Sequence, residues 1–224
     1  MQTILAIETS VPQASLCLSL DGEIALDVTF TSERGHNTTI FEPLADALKL
    51  AKGQLDQIIV GTGPGSYSGT RIGIAAAQGV AIAQDCAICG VGSIAGTSQA
   101  LQYRHQALAV GDARRGLFYT IAIDEAGLPT APELMDEAAF KQKLSTESHA
   151  HLMSLDDVEK LRNTASLIDS VAISSAEPSA RGLLAAWHEF PKSAREDLHK
   201  APLMPTYLRA PFTSKAKSGH PLLR

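Results

Sequence analysis

Only three cysteines, Cys17, Cys86 and Cys89, stand in the 224 residues, too few for a disulfide framework. Cys86-Ala87-Ile88-Cys89 lacks the second CxxC of a zinc site, so its thiols read as small core residues at the start of a strand. Lysine is missing from Gly53 to Gln84, and no charged residue of either sign occurs from Ile72 to Gln84. Long apolar runs are missing too: the stretch after Thr3 is broken by Glu8, and Met1-Gln2-Thr3-Ile4 carries no basic flank. Neither a secretory signal nor a membrane span is expected, and the expected location is cytoplasmic. No internal repeat or low-complexity segment is visible in the sequence.

What is there is a chain with 45% hydrophobic residues, enough for one generous core or two modest lobes. Net charge is −5, which excludes a self-sufficient nucleic-acid binder by bulk electrostatics. The charge is uneven, because Lys200, Arg209, Lys215, Lys217 and Arg224 make a basic tail with no acidic residue from position 200 onward. That tail reads either as a solvated extension with Tyr207-Leu208 docked on the second lobe, or as extra phosphate contacts to an RNA that a partner presents.

Patterning gives an antiparallel meander over Thr3–Phe30, with turns at Thr9–Gln13 and at Asp21-Gly22. Phe41, Leu44, Ala45 and Leu48 fall at i, i+3, i+4 and i+7, one stripe of a helix. QIIVGTG is a short buried strand, a glycine-rich loop leads from it into a second helix, and AICGV is the next strand. The fold class is therefore α/β with mixed sheets, with a first lobe over residues 1–100 and a second over 101–224. The second lobe is expected to hold two strands within ALAVGDARRGLFYTIAID, a helix at Glu137–Leu144, a strand at SVAIS and a helix over Pro178–Trp187.

The loop in VGTGPGSYSGTRIGIAAAQGVAIAQ, Val60 to Gln84, resembles a phosphate loop only superficially. A P-loop needs GxxxxGK[ST], and Gly69 is followed by Thr70 and Arg71. A dinucleotide GxGxxG fails on Pro64 and on the missing sixth-position glycine. Gly63, Gly65 and Gly69 instead read as turn residues between strand and helix, with Thr70 or Ser68 as N-cap. The uncharged helix that follows must be covered on more than one side, by internal burial or by a helix-to-helix protein interface. Arg71 is the one cation at its N-terminus and opposes the helix dipole there, so a specific carboxylate or carbonyl partner is expected.

Four segments occur in order: Ile7-Glu8-Thr9-Ser10, Gly63-Pro64-Gly65-Ser66-Tyr67-Ser68-Gly69-Thr70-Arg71-Ile72-Gly73, Asp112-Ala113-Arg114-Arg115-Gly116 and Pro205-Thr206-Tyr207-Leu208-Arg209. Together they resemble the bacterial TsaB (YeaZ) family over essentially the whole chain. The resemblance implies a two-lobed fold of the actin, sugar kinase and Hsp70 type. It implies a role in forming N6-threonylcarbamoyladenosine (t6A) at position 37 of tRNAs that read codons starting with A, as a degenerate paralogue and partner of the transferase TsaD. The implied partners are TsaD in a heterodimer, the ATPase TsaE, tRNA through the complex, a second copy of the chain when TsaD is absent, and no membrane. ATP or ADP and a metal are implied in the assembled complex and none in this chain alone.

Three absences argue against catalysis by this chain. A TsaD-like metal site needs two histidines one helical turn apart, and Val91–Thr97 offers no ligand, while His149 and His151 form the one close histidine pair. Glu8, Thr9 and Ser10 read as a vestigial nucleotide loop without further acidic residues, with Glu8 either a surviving carboxylate of a metal-phosphate site or merely a cap of the turn. Ala172–Glu177 has no glycine where an adenosine would need close backbone approach. No catalytic and no metal-ligating residue is assigned, and the partner-facing residues are expected to be Phe41, Leu44, Leu48, Arg71, Ile72, Ala76 and Val80. The rival readings are an active ATP-dependent transferase, which needs an aspartate base and intact phosphate loops, and a peptidase. For the peptidase, Ser66 and Ser68 have no histidine nearby in sequence.

Overall fold

The computed structural model describes residues 2–31, 39–147, 150–167 and 171–209. Each lobe is built on a five-stranded sheet, and the two sheets have one topology. The first comprises β1 (Thr3–Glu8), β2 (Gln13–Leu20), β3 (Glu23–Thr31), β4 (Gln57–Gly61) and β5 (Ala87–Val91), in the order β3-β2-β1-β4-β5. The second comprises β6 (Ala107–Arg114), β7 (Leu117–Ala122), β8 (Glu133–Asp136), β9 (His151–Ser154) and β10 (Ile173–Ser175), in the order β10-β9-β6-β7-β8. In both, an antiparallel meander is extended on the far side of its first strand by two parallel strands. Parallel strands need a crossover, and helices supply it: α1 (Phe41–Leu50) and α2 (Tyr67–Gln84) in the first lobe, α4 (Glu137–Thr146) and α5 (Val158–Thr164) in the second. The short α3 (Ser98–Tyr103) links the lobes. The architecture is the two-lobed α/β arrangement that the sequence resemblance implies, and its internal duplication is a property of topology that leaves no visible repeat in the sequence.

The side-chain period of two explains why β1 reads as a continuous apolar run, since both faces of the first sheet are covered. Leu5 and Ile7 face α1 and α2 with Leu44, Ala47, Ile74, Ala77 and Val80. Ile4 and Ala6 face the opposite way, onto α6 (Ala180–Glu189) and α7 (Lys192–Lys200), through Leu183, Leu184, Trp187 and Phe190. By packing, residues 180–200 therefore join the first sheet, although sequence order places them in the 101–224 lobe. The physical reason is that, among the described residues before 101, only Ala95 adds to the strands in the cluster on that face, so α6 and α7 supply its cover. In the second sheet Leu108 and Val110 face α4 and α5, while Ala107 and Ala109 face the inter-lobe side.

Within the first lobe, α6 crosses closely over the 3-10 turn Ser93–Gly96 that follows β5. A Cβ on Gly182 would overlap the Gly96 carbonyl oxygen, and Ser179 N–H donates to that carbonyl at 3.1 Å. Substituting Gly182→Ala should lower the unfolding free energy by about 1–3 kcal/mol, the usual cost of overpacking, as read by urea titration. A variant as stable as the parent would show that α6 does not depend on this close crossing.

Candidate functional site

The turn Glu8-Thr9-Ser10 and the glycine-rich segment 61–73 are pressed together backbone to backbone. A Cβ on Gly61 would overlap Glu8 Oε2, on Gly65 the Ser10 carbonyl, on Gly69 the Thr9 carbonyl and on Gly73 Thr9 Oγ1. Hydrogen bonds stitch the same seam: Ser66 N–H donates to the Ser10 carbonyl at 2.6 Å, and Thr9 Oγ1 donates to the Gly69 carbonyl at 2.8 Å. Only hydrogen at these positions permits that approach. Gly63 (φ 89°) and Gly65 (φ 158°) also take the positive φ expected of turn glycines, and the Gly63–Pro64 peptide is cis.

The same bonds bear on phosphate binding. A phosphate cradle needs free backbone N–H groups, yet Gly63 N–H donates to Ser93 Oγ, Ser66 N–H to Ser10, Gly69 N–H to Ser66 Oγ and Thr70 N–H to the Ser66 carbonyl. The N-cap of α2 is thus Ser66, four residues before Thr70 and two before Ser68, so the helix starts at Tyr67 inside the glycine motif. Serving as that cap, the Ser66 hydroxyl accepts from Gly69 N–H.

Glu8 lies fully buried beneath this seam. Its Oε1 accepts from Ser10 N–H at 2.6 Å, and its Oε2 has no hydrogen-bond partner. Desolvation raises its pKa above the ordinary 4.5, against smaller opposing contributions from hydrogen bonds with Ser10 and Ser93. The vestigial-loop residues are therefore brought together, with Glu8 as an internal support beneath the cleft floor formed by Thr9 and Ser10.

The expected partner-facing residues divide. Phe41 is 58% exposed and Arg71 is exposed, whereas Leu44 (6%) and Val80 (8%) belong to the lobe's own core. Leu48, Ile72 and Ala76 are half-buried against that core. Leu44 and Val80 are thus corrected from partner-facing to core residues. On α1 the buried side runs through Leu44 and Ala47, which turns Phe41 and Ala45 outward. On α2 the buried stripe is Gly69, Thr70, Gly73, Ile74, Ala77, Val80 and Ala81, which leaves Ala75, Gly79, Ile82 and Ala83 facing out. Ile82 is 83% exposed, and a side chain on Gly79 would meet open space.

Between the lobes lies a cleft of about 720 Å³, lined by the 9–12 turn, the start of α2, part of the second sheet and residues 206–209. Asp112 N–H donates to Asp156 Oδ2 at 2.9 Å, and Arg114 pairs with Asp112 at 3.0 Å. Burial pushes the Asp156 carboxyl and the Tyr119 phenol up, with the neighbouring carboxylates adding to the rise. Arg71 donates from Nε to the Tyr207 hydroxyl at 2.7 Å and lies 3.9 Å over the Tyr67 ring. Its partners are thus a phenol and a π face rather than the expected carboxylate or carbonyl, which suits a cation beside a positive helix end.

Among the described residues no three His, Cys, Asp or Glu side chains gather as a metal site, and no helix is long and apolar enough to cross a membrane. His149 of the close histidine pair and most of the basic tail, from residue 210 on, lie outside the described residues. Cys89 is buried, its thiol pushed up to about 12 by burial, and Cys86 is half-buried. Sequence reasoning missed the Arg71–Tyr207 contact and the full burial of Glu8, while the reading of Glu8 as a cap of its turn matches the bond from Ser10 N–H. An acidic residue ending an otherwise apolar strand was the available signal for that burial.

Residues 31–176 match the family model for TsaD, tRNA N6-adenosine threonylcarbamoyltransferase. Among curated proteins, the tRNA threonylcarbamoyladenosine biosynthesis protein TsaB of Haemophilus influenzae is 32% identical over 124 residues, covering 52% of this chain and 52% of that one. TsaB of Escherichia coli is 34% identical over 152 residues, 64% of each chain. The chain thus spans about half to two thirds of the length of these relatives. Among solved structures, YeaZ from Pseudomonas aeruginosa superposes with a TM-score of 0.64 at 22% identity, over 93% of this chain and 100% of that one, which shows a shared fold.

Burial of Glu8 generates a pH dependence of definite sign. With its folded pKa above 4.5, the folded chain holds this proton where the unfolded chain has released it. The stability tied to Glu8 is complete below the unfolded value and falls as pH rises through the folded one. Glu8→Gln cannot ionise, so its urea midpoint should vary less between about pH 4.5 and 8 and exceed the parent's at the upper end. A variant that keeps the parental slope would show that Glu8 ionises in place without cost.

Proposed function

The chain belongs to the TsaB (YeaZ) family, within the group described by the TsaD threonylcarbamoyltransferase model, and from that premise we propose that it is a non-catalytic partner of a TsaD-like transferase in forming t6A at position 37 of tRNAs reading codons that start with A. The observation that carries this reading is the outer face of α2. Ala75, Gly79, Ile82 and Ala83 form an uncharged strip, and Phe41 projects from α1 on the same side of the sheet. Exposed apolar surface of this kind seeks cover.

Small residues let a partner helix approach closely, and Phe41 and Ile82 supply the apolar area. Two helices from this chain and two equivalent helices of the transferase would form a four-helix bundle across a heterodimer. When the transferase is absent the same face pairs two copies of this chain, since a patch complementary to a related lobe is complementary to itself. The metal, ATP or ADP, the ATPase TsaE and tRNA then belong to the assembled complex. The loop N–H donors engaged internally and the buried position of Glu8 support a chain that contributes surface rather than chemistry. An active phosphotransferase or peptidase has no comparable support, with Ser66 committed as a helix cap.

Ile82→Glu tests the reading. Because Ile82 is 83% exposed, the stability of the single chain should change by no more than about 0.5 kcal/mol. Light scattering after size exclusion should show the parent alone as a dimer, the parent mixed with a TsaD-like protein as a 1:1 complex, and the variant as a monomer in both. A variant that forms the complex as the parent does would place the partner on another face.

A further inference from the structure

The polypeptide crosses between the lobes at residues 92–106, where the first sheet leads into the second, and at 176–179, where it returns into α6. A third crossing is made by a segment with no regular secondary structure, Leu203–Arg209. Its residues alternate between the lobes. Leu203 packs against the first lobe's core, Thr206 N–H donates to the Thr62 carbonyl at 2.7 Å, and Thr62 and Thr206 hydroxyls meet at 3.3 Å. Tyr207 accepts from Arg71 and stands 5.6 Å from the Tyr67 ring, both at the start of α2. One residue later the chain changes sides: Leu208 packs with the second lobe's core, and Arg209 donates to the Arg114 carbonyl at 2.9 Å.

We propose that Leu203–Arg209 is an inter-lobe strap, which fixes the angle between the lobes and holds the cleft at its present width. Residues 206–209 line the same cleft as Ser10 and Gly65 of the first lobe and Asp112 and Asp156 of the second. The other inter-lobe contact lies at the 3-10 turn and α3, where Ile94 and Ala100 pack with Ala109, Ile121 and Met153 of the second sheet, and it acts as a fulcrum. A fulcrum alone leaves rotation free, and a tie between Thr62 and Arg71 on one lobe and Arg114 on the other removes it. Hinged two-lobe proteins move by small changes at such crossings. The strap is a property of this chain alone and does not depend on the partner reading.

The test uses the full chain with Cys86→Ser, Lys192→Cys and Lys160→Cys, spin-labelled at the two introduced thiols and diluted into unlabelled protein so that only distances within one chain are read. Lys192 is an exposed residue of α7 on the first sheet, and Lys160 an exposed residue of α5 on the second. Two strap variants are compared with the parent: Tyr207→Ala with Leu208→Ala, and the milder Tyr207→Phe, which removes only the hydroxyl. In the double variant the Thr206 amide should exchange with solvent at least about tenfold faster, and the narrow label-to-label distribution of the parent should broaden. Tyr207→Phe should give a smaller change in the same direction. A strap released by amide exchange with an unchanged distance distribution would overturn the proposal, as would an unchanged Thr206 amide in the double variant.

Discussion

The rest of the structure depends on one close approach, that of the Glu8–Ser10 turn to the backbone of residues 61–73. Gly61, Gly65, Gly69 and Gly73 recur every four residues, and each would collide with this turn if it carried a side chain. Gly69 and Gly73 lie one turn apart on the same face of α2, so both meet Thr9. The contact sets how deeply α2 seats on the sheet, places Ser66 as its cap, and forms the cleft floor. It also fixes Thr62 and Arg71, the two first-lobe residues that the 203–209 segment grips. Glu8 supports the seam from below at the cost of burying a carboxyl with one unpartnered oxygen.

A helix held so tightly on one side is free to present the other. The buried stripe of α2 is glycine, threonine and small aliphatic residues, and the stripe opposite is Ala75, Gly79 and Ile82. A solvated helix face would normally carry charges, and the absence of any from Ile72 to Gln84 is a liability for a chain alone in water. Both features follow if this face is covered by a related lobe. The link from structure to function in this account runs through packing, with the loop that resembles a phosphate binder used as a spacer of backbones.

Much of the first lobe was legible because its signals are local. The meander, QIIVG and AICGV as strands, and the Asp21-Gly22 turn, whose two residues take φ 51° and 88°, all follow from period and turn chemistry. The second lobe was less legible: β8, β9 and α5 are short, between four and seven residues, and carry little periodicity. The return of α6 and α7 to the first sheet is a long-range event that no local pattern reports. At the candidate site Gly63 and Gly65 take the positive φ expected of turn residues, whereas Gly69 lies inside α2, and the larger role of Gly65 and Gly69 is close approach, which depends on residues 50 or more positions away. The interface residues were displaced by the same limit. Phe41, Leu44, Ala45 and Leu48 form a stripe in sequence, yet the sheet lies under Leu44 and Ala47, and Phe41 and Ala45 face outward.

Cover of the outer face of α1 and α2 by a TsaD-like transferase, as proposed above, would be seen by hydroxyl-radical footprinting of this chain alone at dilution and in the mixed complex. Oxidation of Phe41 and Ile82 should fall sharply in the complex, while Met204, which is 61% exposed on the 203–209 segment, reacts as before. Undiminished oxidation of Phe41 and Ile82 in a complex shown to have formed would contradict it.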